Sequence, residues 1–214
     1  MAEARQFRRT STDRASSAGD EARGRILAVA FASIAEKGYR GTSIAQVAAE
    51  AGISQSGLLH HFPTKQALLI AVLDYRSRLD RELFQAGGAT VTGWAALEGW
   101  VELARINTRR PQMVQMFVTL SAEATDPDHP AHEWLQGHYR MVSAELSKAL
   151  AAGIADGTVS PDLPIDTVVR LTVAVMDGLQ LQWLATGGRI DLAAEFAAYV
   201  RQLEQTWAIP PPPT

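Results

Sequence analysis

Ser54, Gln55, Ser56 and Gly57 follow one another directly after the turn residues Ala51, Gly52 and Ile53. Short hydroxyl and carboxamide groups of this kind match the donors and acceptors on base-pair edges, and a glutamine can pair with the N6/N7 edge of adenine through two hydrogen bonds. Gly57 lets the backbone approach another surface closely. The competing role is local, because Ser54 also suits the cap of the helix that follows it. A second set of residues has chemistry suited to phosphate oxygens. Thr42 and Ser43 stand before one helical pattern, His60 and His61 close the next, and Lys65 opens a third. A lysine in a first helical turn opposes the helix dipole, an objection that a nearby phosphate would remove. Ala45 is small enough to lie against a base methyl or the sugar wall.

These groups need elements that hold them in place. Ile26, Leu27, Ala30, Phe31 and Ile34 recur at helical spacing from Asp20 onward, and Gly38 suits a helix end. Ser43 and Gln46 form a capping-box pair that opens a second helix with Ile44, Val47 and Ala48 on its buried face. Gly52 supplies a tight turn. Ser54 caps a third helix expected to bury Leu58, Leu59 and Phe62. After Pro63, Thr64 caps a fourth helix with Leu68, Leu69, Val72, Leu73 and Leu79 on its apolar side. Two short helices joined by a turn, the second beginning with small uncharged residues, describe a helix-turn-helix whose second helix lies in a DNA groove.

Beyond Gly87–Gly88 the helical pattern continues over about 94–108, 111–124, 131–156, 165–186 and 191–208. The spacing contains no strand pattern and no internal repeat. The expected fold is all-α with about nine helices: a disordered basic arm over 1–19, a three-helix DNA-binding domain over 20–64, a helical effector-binding and dimerisation domain over 65–208 and a Pro-rich tail over 209–214. The arginines of the arm (Arg5, Arg8, Arg9, Arg14 and, just beyond it, Arg23) could touch phosphates or a minor groove. Residues 1–80 hold eleven Lys and Arg against eight Asp and Glu, and residues 81–214 hold nine against fifteen. A mildly basic front and an acidic rear suit a front half that meets phosphates. The chain has no cysteine, which excludes disulfides and thiol catalysis. No run approaches the ~20 apolar residues of a membrane span, and the first residues do not read as a secretory signal, so a cytoplasmic location is expected.

The segment Arg25–Ala71 resembles the tetracycline-repressor-type (TetR) family of bacterial transcriptional regulators. The resemblance rests on Ala35-Glu36-Lys37-Gly38-Tyr39, on Gly41-Thr42-Ser43-Ile44, on Ala45, Ala48, Ala51-Gly52-Ile53-Ser54, on Gly57 to Lys65, and on Ala67-Leu68-Leu69. The segment is about a quarter of the chain, and the helical layout of the remainder agrees in length and order. One departure stands out: the family usually has Tyr-x-Tyr-Phe before the proline, and this chain has Leu59-His60-His61-Phe62. A tyrosine hydroxyl is therefore missing at position 59, while the His61 imidazole can still donate to a phosphate. The resemblance implies a homodimer that binds a palindromic double-stranded operator, most often as a repressor, and lets go of it when a small-molecule effector enters the C-terminal half. Tilting of the helix over 65–84 would carry the effect to the recognition helices. A full switch of this kind needs about 5.5 kcal/mol of differential affinity between the two states.

For the effector, the large soft side chains Met113, Met116, Phe117, Trp134, His138, Tyr139, Met141, Met176 and Trp183, with the polar Asp177 and Gln180, are the expected lining. Mostly apolar walls with few polar groups suit a small-molecule pocket, although each of these residues also suits an ordinary core. The last two helices look too apolar for one subunit to cover, so dimer contact is expected through them as a four-helix bundle. Paired recognition helices about 34–36 Å apart would then meet successive major grooves. His129, His132, Glu133 and His138, with Asp126 and Asp128, raise a metal-binding or enzymatic alternative. Their spacing is loose, and Asp126-Pro-Asp-His-Pro130 reads as a turn before a helix, so no metal or cofactor and no catalytic residue is assigned. A DNA-binding protein without an effector is the other alternative.

Overall fold

The computed structural model of the chain describes the backbone of residues 2–85 and 92–209, and the side chains of residues 19–78 and 92–209. The arm and tail expected at the two ends lie outside those side chains except for Gly19 and Ile209, and so do Leu79 and the Gly87–Gly88 break. Its elements are α1 (Ala2–Gly41), α2 (Ile44–Glu50), α3 (Gln55–His61), α4 (Lys65–Gln85), α5 (Trp94–Thr108), α6 (Pro111–Glu123), α7 (His132–Ala155), α8 (Ile165–Ala185) and α9 (Leu192–Trp207). Among the described residues, the one extended pairing is an isolated antiparallel bridge between Val159 and Ala208. The chain is therefore all-α, as its spacing predicts.

Internal contacts divide the chain into two units, Met1–Ser77 and Arg78–Thr214. That division falls inside α4, whereas the sequence reading places it between 64 and 65. The reason is burial: Leu68, Leu69, Val72 and Leu73 of α4 are all buried, as are Ile26, Ala30 and Ile34 of α1. The first half of α4 thus completes the core of the first unit. Gly38 interrupts α1 with φ 71° and ψ 177°, a backbone region that is essentially glycine's alone. Val47 and Ala48 anchor α2, and Leu58 and Phe62 anchor α3 and its C-terminal end, as the apolar spacing predicts.

In the second unit, α9 lies along α5, α7 packs on α8, and α6 also meets α8. The deepest core side chains include Leu97, Leu150, Val159, Leu192 and Phe196. Gly93 takes φ 57° and donates its N–H to the Ala149 carbonyl at 2.8 Å. Gly153 faces it so closely that a β-carbon at 153 would stand 2.6 Å from the Gly93 Cα. One expectation fails here. The buried face of α7 is Leu135, Leu146, Ala149, Leu150 and Gly153, while Met141 is 40% exposed. Trp134, His138 and Tyr139 are half-buried. Along α9, Leu192, Phe196 and Val200 are buried within the chain, and the Phe196 ring stacks on Trp100 of α5 at 6.4 Å.

Candidate nucleic-acid interface

α2 and α3 are short, and the turn between them is built by sequence. Gly52 adopts φ 71°, and Ile53 N–H returns to the Ala48 carbonyl at 3.0 Å. Ser54, in extended conformation, then caps α3 by accepting the Gly57 N–H at 3.1 Å, and its Oγ lies 3.0 Å from the Ser56 Oγ. Adding a β-carbon at Gly57 would bring it within 3.2 Å of that capping hydroxyl. The outer face of α3 carries Gln55, Ser56 and His60, all exposed, and Ala45 of α2 is exposed as well. Across residues 44–61 a single acidic or basic side chain occurs, Glu50, histidines aside. An exposed helix that avoids charge but keeps short polar groups suits contact with base edges better than it suits bulk water.

The phosphate candidates divide. Thr42 is only 4% exposed; its hydroxyl donates to the Gly38 carbonyl at 2.8 Å and lies 3.2 Å from the Ser33 Oγ. It therefore fastens the α1–α2 corner and does not face outward. Ser43 is the N-cap residue of α2, but its side chain makes no capping hydrogen bond, so the expected box with Gln46 does not form. Lys65 reaches back across the unit. Its ammonium donates to the Arg40 carbonyl at 3.2 Å and lies 4.5 Å from the centre of the Tyr39 ring. This resolves the objection of a cation in a first helical turn, since a main-chain carbonyl and an aromatic face balance the charge. Thr64 caps α4 through the Ala67 N–H at 3.0 Å, as its type predicts. His60 and His61 meet edge to face at 5.8 Å, the former exposed and the latter half-buried. Arg23, read as an extension of the arm, sets its guanidinium 4.7 Å from the Phe62 ring centre. Leu59, expected inside, is 36% exposed.

In the second unit, several expected effector residues do come together. His138 stacks on Trp134 at 5.4 Å and meets Phe117 edge to face at 5.2 Å, which joins α6 to α7. Tyr139 donates its hydroxyl proton to Asp177 of α8 at 2.7 Å. Met116, Met176, Gln180 and Trp183 are buried, Met113 is half-buried, and Met141 stands apart at the surface. The Gln180 Oε1 is buried and has no hydrogen-bond partner among the described residues. The two surface depressions described in this unit are lined instead from α5 and α9, around Arg105, Arg109, Arg201 and Glu204.

The histidines of the 126–132 loop are fasteners. His129 Nδ1 accepts the Ala131 N–H at 3.1 Å, and its other nitrogen faces Glu123 at 3.7 Å. His132 donates from Nδ1 to the Ala124 carbonyl at 2.8 Å and lies 2.9 Å from Gln136 Nε2 through its other nitrogen. Among the described residues, no group of three or more His, Asp or Glu is arranged to hold a metal.

A three-helix unit with an exposed, capped, uncharged α3, followed by a separate helical unit, defines a helix-turn-helix regulator. Comparison with known proteins agrees. Residues 26–72 match the family profile "Bacterial regulatory proteins, tetR family", and residues 106–189 match "Tetracyclin repressor-like, C-terminal domain". The chain belongs to the TetR family of transcriptional regulators. It is 43% identical over 68 residues, 32% of each chain, to the HTH-type transcriptional regulator CymR of Pseudomonas putida. Over 180 residues it is 25% identical to the HTH-type transcriptional repressor KstR2 of Mycobacterium tuberculosis, covering 82% of this chain and 88% of that protein. Among solved structures, a TetR regulator from Chloroflexus aurantiacus superposes with a TM-score of 0.80 at 23% identity, over 91% of this chain and all of that one. A regulator from Saccharomonospora viridis, solved in complex with choline, gives a TM-score of 0.72 at 23% identity, over 89% of this chain and all of that one. Members of this family are regulators and not enzymes; they bind DNA and small-molecule effectors and act as dimers. No helix among the described residues is long and apolar enough to cross a membrane.

Proposed function

We propose that the chain is a cytoplasmic homodimeric repressor that holds a palindromic operator and releases it when a small organic effector binds the second unit. The observation that carries the DNA part is the outer face of α3, where Gln55 and Ser56 are exposed beside the Ser54 cap. Gln55 is the base reader, Ser54, Ser56, Gly57 and Ala45 line the approach, and Ser43, His60, His61 and Lys65 meet phosphates. Thr42 holds the corner from within.

The effector reading is supported by the Phe117, Trp134, His138 and Tyr139 rings, which gather beside Asp177, and by the buried Gln180 amide one turn further along α8. Flat apolar walls with a carboxylate and an unsatisfied acceptor are what a small ligand needs for orientation. The effector acts only through its differential affinity for the bound and released states. Dimer contact runs through the last two helices, α8 and α9, and the outer face of α8 supports this. Leu171 and Leu181 are 52% and 55% exposed, and the small residues Ala174 and Gly178 lie between them on the same face.

Selection of duplexes from a random pool tests the DNA reading. The wild-type chain enriches a two-fold symmetric sequence, and Gln55→Ala loses preference at one base pair of each half, at a cost of about 1–3 kcal/mol. A chain that enriches nothing, or a Gln55→Ala variant that keeps every preference, contradicts the assignment.

A further inference from the structure

We propose that Leu59 reads the 5-methyl group of a thymine in each operator half-site, beside the base that Gln55 contacts. The inference rests on the reading of α3 as the recognition helix and adds a residue to it. Three observations converge. First, α3 already has its apolar anchors: Leu58 is fully buried and Phe62 nearly so, whereas Leu59 is 36% exposed. Leu59 is thus only partly covered by its own unit. Second, its place on the helix is specific. Gln55 stands four residues before it and Ser56 three, so the three side chains share one face of α3. Both polar neighbours are exposed. Third, the surrounding surface lacks charge, since Glu50 is the one acidic or basic residue in 44–61, histidines aside. A partly exposed leucine at the edge of an uncharged polar face offers apolar surface to whatever that face meets.

In the major groove, the one apolar feature of a base-pair edge is the thymine methyl. A leucine cannot distinguish bases by hydrogen bonding, but it gains from covering that methyl and gains nothing comparable from cytosine. The pairing also suits Gln55. An adenine that offers N7 and N6 to the carboxamide is paired with a thymine whose methyl lies on the same groove edge. Together Gln55 and Leu59 would select an A·T-containing step in which one residue reads polarity and the other shape.

The test replaces thymine by deoxyuridine, which removes the methyl group and leaves every hydrogen-bonding group in place. Duplexes enriched by the wild-type chain from a random pool are resynthesised with each thymine replaced in turn, and affinities are measured by titration. At one position in each half-site, the wild-type chain should bind the thymine duplex about fourfold more tightly than the deoxyuridine duplex, the worth of one buried methyl. Leu59→Ala should bind both forms equally at that position and keep the wild-type response elsewhere. Leu59→Asn, similar in size but polar, serves as the second variant and should behave alike. Helical content should stay close to wild type for both, and because the side chain is about one third exposed any fall in melting temperature is measured separately from the thymine preference. Sequence-specific binding with no thymine preference at any position, or a preference that survives in both variants, overturns the role of Leu59 and leaves the DNA-binding reading standing. Failure to enrich any sequence would instead overturn that reading itself.

Discussion

Lys65 has a structural role in the fold beside the phosphate role proposed for it. Its ammonium is tied to the Arg40 carbonyl and the Tyr39 ring, so it links the start of α4 to the end of α1. It remains half-buried and not enclosed, within the unit that carries α3. Lys65→Ala should therefore have two effects. The melting temperature falls by the loss of about 1 kcal/mol, the size of a partly exposed cation–π contact with its hydrogen bond. Affinity drops alike for all duplexes, and the slope of log affinity against log salt flattens by about one. Thermal melts and salt titrations separate the two: an unchanged salt slope would leave Lys65 a purely structural tie. Gln55 and Leu59 differ in kind from it, because both should alter sequence preference.

At the scale of elements, close approach decides more than composition. The end of α7 meets the loop before α5 through Gly153 and Gly93, with no side chain between them. A methyl group at 153 would also lie 2.7 Å from the Val159 Cγ2. Val159 is fully buried and pairs with Ala208, just after α9, so three segments converge on the gap that Gly153 leaves open. Gly153→Ala should destabilise the second unit by about 1–3 kcal/mol through overpacking, even though alanine favours helices, and calorimetry should show it. A stabilised variant would mean that the gap is slack. Between α8 and α9, Thr172 Oγ1 donates to the Val168 carbonyl at 2.8 Å and lies 3.0 Å from the Tyr199 hydroxyl. Burial raises the Tyr199 pKa above its usual value of 10, and the Thr172 bond offsets this in part. A raised phenol pKa means the folded state disfavours the phenolate. Its contribution to stability is intact below the usual value of 10 and is lost as pH rises beyond it. Tyr199→Phe should make stability less steep in alkali, as denaturant titrations across that range can check.

For the whole molecule, what matters is which apolar surface a single chain leaves uncovered. Among the described residues, the outer face of α8 exposes Leu171 and Leu181, an apolar surface that suits the proposed subunit contact through the last two helices. The double variant Leu171→Glu, Leu181→Glu should sediment as a monomer with unchanged helical content, because neither side chain belongs to the core. Losing the second recognition helix should also weaken operator binding by roughly tenfold or more, each tenfold corresponding to about 1.4 kcal/mol. A variant that stays dimeric would place the contact elsewhere.

The order of the helices, the turn at Gly52, the caps at Ser54 and Thr64 and the family itself were legible in the chain because each is a local signal: a spacing, a backbone angle open to glycine, or a hydroxyl placed three residues before an N–H. Which of two adjacent leucines, Leu58 or Leu59, faces the core was not legible, since neighbours on a helix differ by about 100° and the apolar count is the same either way. The same ambiguity applies to Met141 of α7, expected in a pocket wall and exposed in the structure. Thr42 reads as a phosphate ligand because its type suits that chemistry, but tertiary structure placed Gly38 and Ser33 within its reach first. Local hydrogen-bond geometry can be inferred along a chain. The partners that residues distant in sequence supply, and hence which side chains remain free to meet DNA, exist only once the helices have packed.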